Sequence, residues 1–344
     1  MTFDLSELTY PIIGAPMSGS STPALAAIVS EVGGLGFIAA GYKSVQVMRE
    51  EIAQTRDLTT KPFGMNLFTP QRSRGVELAD EIEQYAQLLA PYAARVDAEV
   101  GAPQYNDDEF DAKIDALVED PVAVVTFTFG AVPADTVARL RRAGSTVGFT
   151  VTDASEARIA ERLGADLLVV QGADAGGHRG LWSVSAEPNT LSAREAVQRI
   201  RPVTELPIIG SGGVANGADI RALLTAGAQA VAVGTLLVAA DESSSPEAHK
   251  AALTDVSYRD AIVSRTFSGR YARGLANELM LAGDLVAPGA YPDVHYMTSP
   301  IRKAAAKQGD ASLLALWAGA GHRSAVRRPA PEIVASLIAE LESE

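Results

Sequence analysis

Short runs of apolar, often β-branched residues recur along the chain, and segments with apolar positions three or four residues apart lie between them. The runs fall at Ile12–Ala15, Leu35–Ala39, Phe63–Leu67, Val122–Phe127, Thr146–Thr150, Asp166–Gln171, Ile208–Ser211 and Ala230–Gly234. They are apolar at successive rather than alternate positions, which predicts strands buried on both faces, as in parallel sheet covered by helices. Pro23–Glu31, Ala134–Ala143, Ala154–Leu163 and Gly217–Ala226 carry the helical period between them. Repeated strand–helix units over roughly 240 residues match a (β/α)8 TIM barrel better than an open doubly wound sheet. An open sheet should also show a GxGxxG turn after its first strand, and here that turn reads Gly14-Ala15-Pro16-Met17-Ser18-Gly19. The predicted architecture is therefore α/β, with a barrel over 1–240 and a mostly helical C-terminal extension over 241–344 that caps the barrel's substrate side.

One internal segment exceeds an ordinary loop. Residues 69–120 separate the third and fourth runs and contain a helical pattern at Glu77–Ala94 and the acidic stretch Asp107–Glu119. Insertions of this length in compact domains usually serve function, which makes 69–120 a candidate lid.

Composition narrows the class. The chain has 344 residues, 47% hydrophobic and 21% charged, enough for a large core, and length alone fits either two domains or one large one. A formal charge of −13 and a pI near 4.9 repel phosphate backbones and anionic lipid, so neither nucleic acid nor a membrane is an expected partner. Cysteine is absent, which excludes disulfides and thiolate chemistry and fits a reducing cytoplasm. The start MTFDLSELTYP lacks a signal-peptide pattern, and the most apolar window, Ala222–Ala240, is broken by Gly227, Gln229 and Gly234. A cytoplasmic protein is expected, with monomer and homodimer both open.

In barrels the reactive groups lie at the C-terminal ends of the strands. Ser211-Gly212-Gly213 and Val233-Gly234-Thr235 place glycines where the last two runs turn into helices, exposing backbone N–H groups to an anion. Such turns favour glycine in any case, but the two loops converge where barrels hold phosphate. Whether that phosphate belongs to a substrate or a cofactor stays open. Gly176 and Gly177 allow positive φ or close approach of a flat ligand, and His178 beside them titrates near neutrality and can move a proton. A histidine that merely caps a helix or bonds a carbonyl is the alternative, outweighed here by the adjoining phosphate loops. His249 and His322 read as surface or structural, His295 lies outside the strand ends, and no acid stands at ligand spacing from His178, so no metal is expected. Arg179 either holds an anion or pairs with an acid such as Asp174, the commoner outcome. The amides of Asn66 and Gln171 suit a heterocycle edge or a loop backbone equally. Ala15, Pro16 and Met17 follow the first run, and Met17, Phe127 and Phe129 supply either apolar walls or core.

Together these residues resemble one family, the class I nitronate monooxygenases, once called 2-nitropropane dioxygenases, which are FMN-dependent barrel enzymes. The resemblance covers nearly the whole chain and rests on PIIGAPMSG (11–19), NLFTP (66–70), TFTFG (126–130), QGADAGGHRG (171–180), GSGGVANG (210–217), VGT (233–235), FSGRYARG (267–274) and LWAGAG (316–321). It implies FMN with its phosphate on Gly212, Gly213, Gly234 and Thr235 and its ring near Met17, Asn66, Gln171, Gly176 and Gly177. Ala15, Pro16, Ser211 and Val233 complete the implied cofactor set. His178 matches the family's catalytic base. The implied reaction converts alkyl nitronates, propionate 3-nitronate among them, with O2 into a carbonyl compound and nitrite; neutral nitroalkanes must first lose the α proton. The chain departs from the family at Asp174, commonly Glu, and at Ala232, commonly Gln. FMN-dependent enoyl-ACP reductases and certain NADH:quinone reductases share the glycine loops, so an NAD(P)H-dependent FMN reductase on the same barrel is the alternative.

Overall fold

The computed structural model describes residues 3–343, and the counts below refer to these. Eight parallel strands form the barrel: β1 (Ile12–Gly14), β2 (Gly36–Ala39), β3 (Phe63–Phe68), β4 (Val124–Thr128), β5 (Thr146–Val151), β6 (Leu167–Gln171) and, after a short β7 (Gly177–His178) outside it, β8 (Ile208–Ser211) and β9 (Ala230–Val233). Around the barrel they run β1-β9-β8-β6-β5-β4-β3-β2. Leu35, just ahead of β2, bridges Ile13 of β1 and closes the circle. The observed ends lie within two residues of those read from the apolar runs.

Both strand faces are buried, as continuous apolar runs require. Ile13, Leu35, Phe37, Val124, Leu167, Ile209 and Ala230 form one cluster contributed strand by strand, with Leu5 packed against it; the remaining core lies between sheet and helices. Local signals set the helix ends. Thr22 accepts the Leu25 N–H at 3.1 Å ahead of Pro23, Asp153 caps Ala154–Arg162, and Gly144 ends Ala134–Ala143 at φ 108°, a conformation that favours glycine.

The segment after β9 covers the C-terminal end of the barrel. Its hairpin β10 (Ala261–Ser264) and β11 (Ala272–Leu275) adds β7 as third strand of an antiparallel sheet, and helices Glu278–Gly283 and Asp293–Gln308 follow. The last helix, Ala330–Glu342, differs from the expected cap: it lies along helices Pro23–Glu31 and Gly217–Thr225, where Glu340 accepts the Gly217 N–H at 2.8 Å. It occupies the outer-ring position that the four-residue helix Thr235–Val238 after β9 is too short to fill.

The insertion contributes helices Ala79–Arg95 and Phe110–Glu119 and is fastened at both ends. Tyr85 donates to the Thr266 carbonyl at 2.7 Å. Asp108 and Glu109 accept the N–H groups of Tyr42 and Val45 at 2.9 and 2.8 Å. No helix of the described residues is long and apolar enough to cross a membrane.

Candidate active site

The strand ends and the C-terminal segment enclose one cavity of about 740 Å³, within the range of small-molecule sites. Ala15, Pro16, Met17, Asn66, Gln171, Gly176, Gly177, His178, Ser211, Gly212, Gly213, Gly234 and Thr235 all line it. Val233 does not: it is fully buried within β9, and its carbonyl accepts the Ala15 N–H at 3.0 Å, holding the loop after β1. Ala232 lines the cavity with a methyl group. Of the two expected aromatic walls only Phe129 reaches it; Phe127 belongs to the core.

The glycines differ in what requires them. Gly212 and Gly213 adopt φ of 135° and 70°, and a Cβ on either would fall 2.5 or 2.6 Å from the Asp174 carboxyl oxygens. At Gly176 a Cβ would meet the backbone at 2.6 Å from Gly319 N, so this glycine admits the 316–321 segment. Gly177, at φ 72°, has nothing within 4 Å of its missing Cβ and faces open cavity. Thr235 Oγ1 accepts the Gly319 N–H at 2.9 Å, leaving its own proton free to donate.

The two amides part company. Asn66 Nδ2 donates to the Thr126 carbonyl at 3.2 Å and to the Thr126 and Thr128 hydroxyls at 2.9 and 3.0 Å. These acceptors fix the amide's orientation and leave Oδ1 as an acceptor without a donor among the described residues. Gln171 uses both ends on the loop beyond it, donating to the His178 carbonyl at 2.9 Å and accepting the Gly180 N–H at 2.8 Å. Its loop reading is thus met, while the residue still lines the cavity with a second N–H and a second lone pair unspent.

The expected pairing of Arg179 with Asp174 is not made. Arg179, 1% exposed, turns back to donate to the Gly172 carbonyl, and its Nε and Nη2 have no partner among the described residues. Burial and Arg273 push it down to about 10. Asp174 instead accepts the Ala193 N–H at 2.9 Å, with burial raising its carboxyl above the usual range.

His178 is held by backbone and side chain together. It pairs with Ala272 of β11, its Nε2 lies 2.8 Å from Ser268 Oγ, and Phe129 and Trp317 stand 5.6 and 5.4 Å from its ring. Burial, then Arg270 and Arg302, push its imidazole down to about 3, so it is neutral at physiological pH. Arg270 lies over Phe129 at 4.0 Å and donates to Leu181 O and Gln71 Oε1 at 2.9 and 2.6 Å.

Sequence reasoning missed the wall formed by helix Asp293–Gln308. His295, Tyr296, Ser299, Arg302 and Lys303 line the cavity, a spacing of one helical face, and Tyr42 stacks on His295. Among the described residues no Asp or Glu lines the cavity, whereas Lys43, Arg302 and Lys303 do. The i, i+4, i+7, i+8 spacing was a usable signal, but nothing local distinguished that face from a solvated one.

Solved structures share this architecture throughout. The chain superposes on nitroalkane oxidase from Streptomyces ansochromogenes with a TM-score of 0.94 and 46% identity, covering 98% of this chain and 96% of that one. It superposes on FabK from Thermotoga maritima with a TM-score of 0.76 and 27% identity, covering 98% and 94%. A probable nitronate monooxygenase of Staphylococcus aureus (strain Newman) is 35% identical over 342 residues, 97% of this chain and 95% of the relative. The family model for nitronate monooxygenase matches residues 1–340, and the chain belongs to the nitronate monooxygenase family of oxidoreductases.

Proposed function

We propose that this enzyme holds FMN in the cavity and oxidises alkyl nitronates, propionate 3-nitronate among them, with O2 to a carbonyl compound and nitrite. One observation carries the reading: an open left-handed glycine, two glycine loops and a neutral imidazole share a cavity without a carboxylate among its described lining residues. The residues fit FMN. Gly212, Gly213 and Gly234 leave backbone exposed where a phosphate would sit, with Ser211 and Thr235 as hydroxyl donors. Gly177 leaves room for a flat ring, and Asn66 Oδ1 offers an acceptor to a ring N–H. When bound, FMN supplies an electron acceptor for the nitronate and a reductant for O2.

The chain's own residues attract and orient the substrate. Arg302 and the exposed Lys303 on the wall, with Arg270 behind Phe129, present positive charge that acts on an anion, whereas Lys43 is already paired with Glu51 at 2.6 Å. His178 takes the α proton of a neutral nitroalkane, its ring held by Ser268. An imidazole pushed this far down is a reluctant base, so preformed nitronates are better substrates than neutral nitroalkanes.

The test is to mix the FMN-loaded protein anaerobically with propionate 3-nitronate and, separately, with NADH, follow the flavin absorbance, then admit air and assay nitrite. Bleaching by nitronate with nitrite release is expected. Bleaching by NADH alone would overturn the proposal in favour of an NAD(P)H-dependent reductase.

A further inference from the structure

His295 has no role in the reading above, yet three contacts fix its state. Its ring lies flat on Tyr42, with centroids 3.7 Å apart and planes 7° from parallel, while Tyr296 meets it edge-on at 5.2 Å. Arg302 Nη2 approaches His295 Nδ1 at 3.3 Å and the His295 carbonyl at 3.1 Å, and Arg302 Nε donates to Thr298 Oγ1 at 3.1 Å. A guanidinium has donors only. Nδ1 must therefore be the lone-pair nitrogen, and the ring's single proton sits on Nε2. Nε2 has no partner among the described residues and is not sealed from solvent; the residue lines the cavity shared with His178.

The platform under the ring is itself built. Tyr42 sits at φ 65°, a conformation costly for a bulky residue. It is held there by its N–H to Asp108 at 2.9 Å, and Asp108 pairs with the buried Lys113 at 2.8 Å. Lys113 also donates to the Ala40 carbonyl at 3.0 Å. Stack and guanidinium thus aim a fixed donor at the cavity.

We propose that His295 is a further catalytic residue, a neutral imidazole whose Nε2–H donates a hydrogen bond to a nitro oxygen of the substrate. The inference rests on the nitronate reading. When His178 takes the α proton of a nitroalkane, the C–H electron pair becomes the C=N bond and one N–O pair moves onto oxygen, giving imidazolium and nitronate. The negative charge arrives on the oxygens, where a preorganised donor stabilises it. A preformed nitronate already carries that charge, so for it the same bond acts on binding.

The experiment uses FMN-loaded wild type, His295→Phe, which keeps a ring on Tyr42 without the donor, and His295→Gln, which returns an N–H near the position of Nε2. Absorbance of the bound flavin and the melting temperature check each variant's fold. On nitroethane His295→Phe should lose about 100-fold in kcat, the scale of one oxyanion donor. On ethyl nitronate its KM should rise about ten-fold with kcat nearly kept, and His295→Gln should recover most of both losses. With four histidines in the chain, 15N-histidine NMR reads the tautomer directly: the signal missing from His295→Phe should report Nε2–H throughout pH 5.5 to 8.5. An Nδ1–H or charged ring, or a His295→Phe variant that keeps both constants while wild type is active, would overturn this inference alone. Wild-type enzyme that releases no nitrite from either substrate would overturn the nitronate reading beneath it.

Discussion

Gly177→Ala adds one methyl group at a point where the protein offers it no neighbour, which separates the cost to the fold from the cost to the ligand. The missing Cβ has nothing within 4 Å, and the residue sits at φ 72°. Holding an alanine in the left-handed region costs about 1–2 kcal/mol, and for a chain of this size that lowers the melting temperature by about 1–2 °C per kcal/mol. The methyl points into the cavity. If the flavin ring lies against this backbone, it must retreat or be compressed, an overpacking cost of about 1–3 kcal/mol, or roughly 5- to 150-fold in FMN affinity. Urea unfolding of the apoprotein measures the first cost and titration with FMN by fluorescence quenching the second. Gly176→Ala is the contrasting case: its Cβ would press on Gly319 N at 2.6 Å and the Ala318 carbonyl carbon at 2.7 Å, so the apoprotein itself should lose more stability. A Gly177→Ala protein destabilised by the expected amount, but binding FMN within two-fold of wild type, would refute a ring lying on Gly177.

Other consequences can be checked independently. His178→Asn should leave turnover of preformed nitronate nearly intact while reducing turnover of neutral nitroalkane about 10²- to 10⁴-fold; equal losses in steady-state nitrite release would remove its role as base. Because the His178 imidazole is pushed down to about 3, kcat/KM for a nitroalkane should show no inflection between pH 5.5 and 8, and a step near 6.5 in the pH profile would contradict that depression. His178, His249 (about 4) and His295 are all held neutral in the fold, so the unfolded chain binds more protons below pH 6.5. Stability should therefore be full above that pH and fall by up to about 1.4 kcal/mol per unit per histidine as pH drops toward 4, measured by urea unfolding across pH. Lys113→Met leaves Asp108 and the Ala40 carbonyl without their partner and should cost about 3–5 kcal/mol; unfolding within 1 kcal/mol of wild type would show that this pair does not fasten the insertion.

The barrel was legible because its strands are buried on both faces, and a continuous apolar run carries that fact locally. The glycine loops were legible for a similar reason: Gly212 and Gly213 are conformational requirements, visible without their surroundings. What failed depended on the path of the chain beyond the motif. Gln171 reaches the cavity as expected, but that the loop returns its own 178 carbonyl and 180 N–H to that amide was not readable from the motif. Arg179 stands five residues after Asp174, yet β7 joins β11 and turns the guanidinium inward to Gly172. The two-residue β7 was invisible because its partner lies some ninety residues on, in a strand, Ala272–Leu275, that carries no apolar run of its own. His295 and Arg302 lay in a helix whose inward face only the tertiary fold defines.

These omissions change what the site can do. With His178 alone, the cavity is a place where a base meets a carbon acid. With helix Asp293–Gln308 in place it gains Arg302 and Lys303 and no acid among its described lining residues, the charge that an anionic substrate would meet, within a chain of net charge −13. Burial first, and the arginines after it, hold the His178 and His295 imidazoles neutral, so the enclosure that strengthens the field on an anion also weakens His178 as a base. A substrate that arrives already deprotonated avoids that conflict: it needs the positive field and a fixed donor, and it makes little demand on His178.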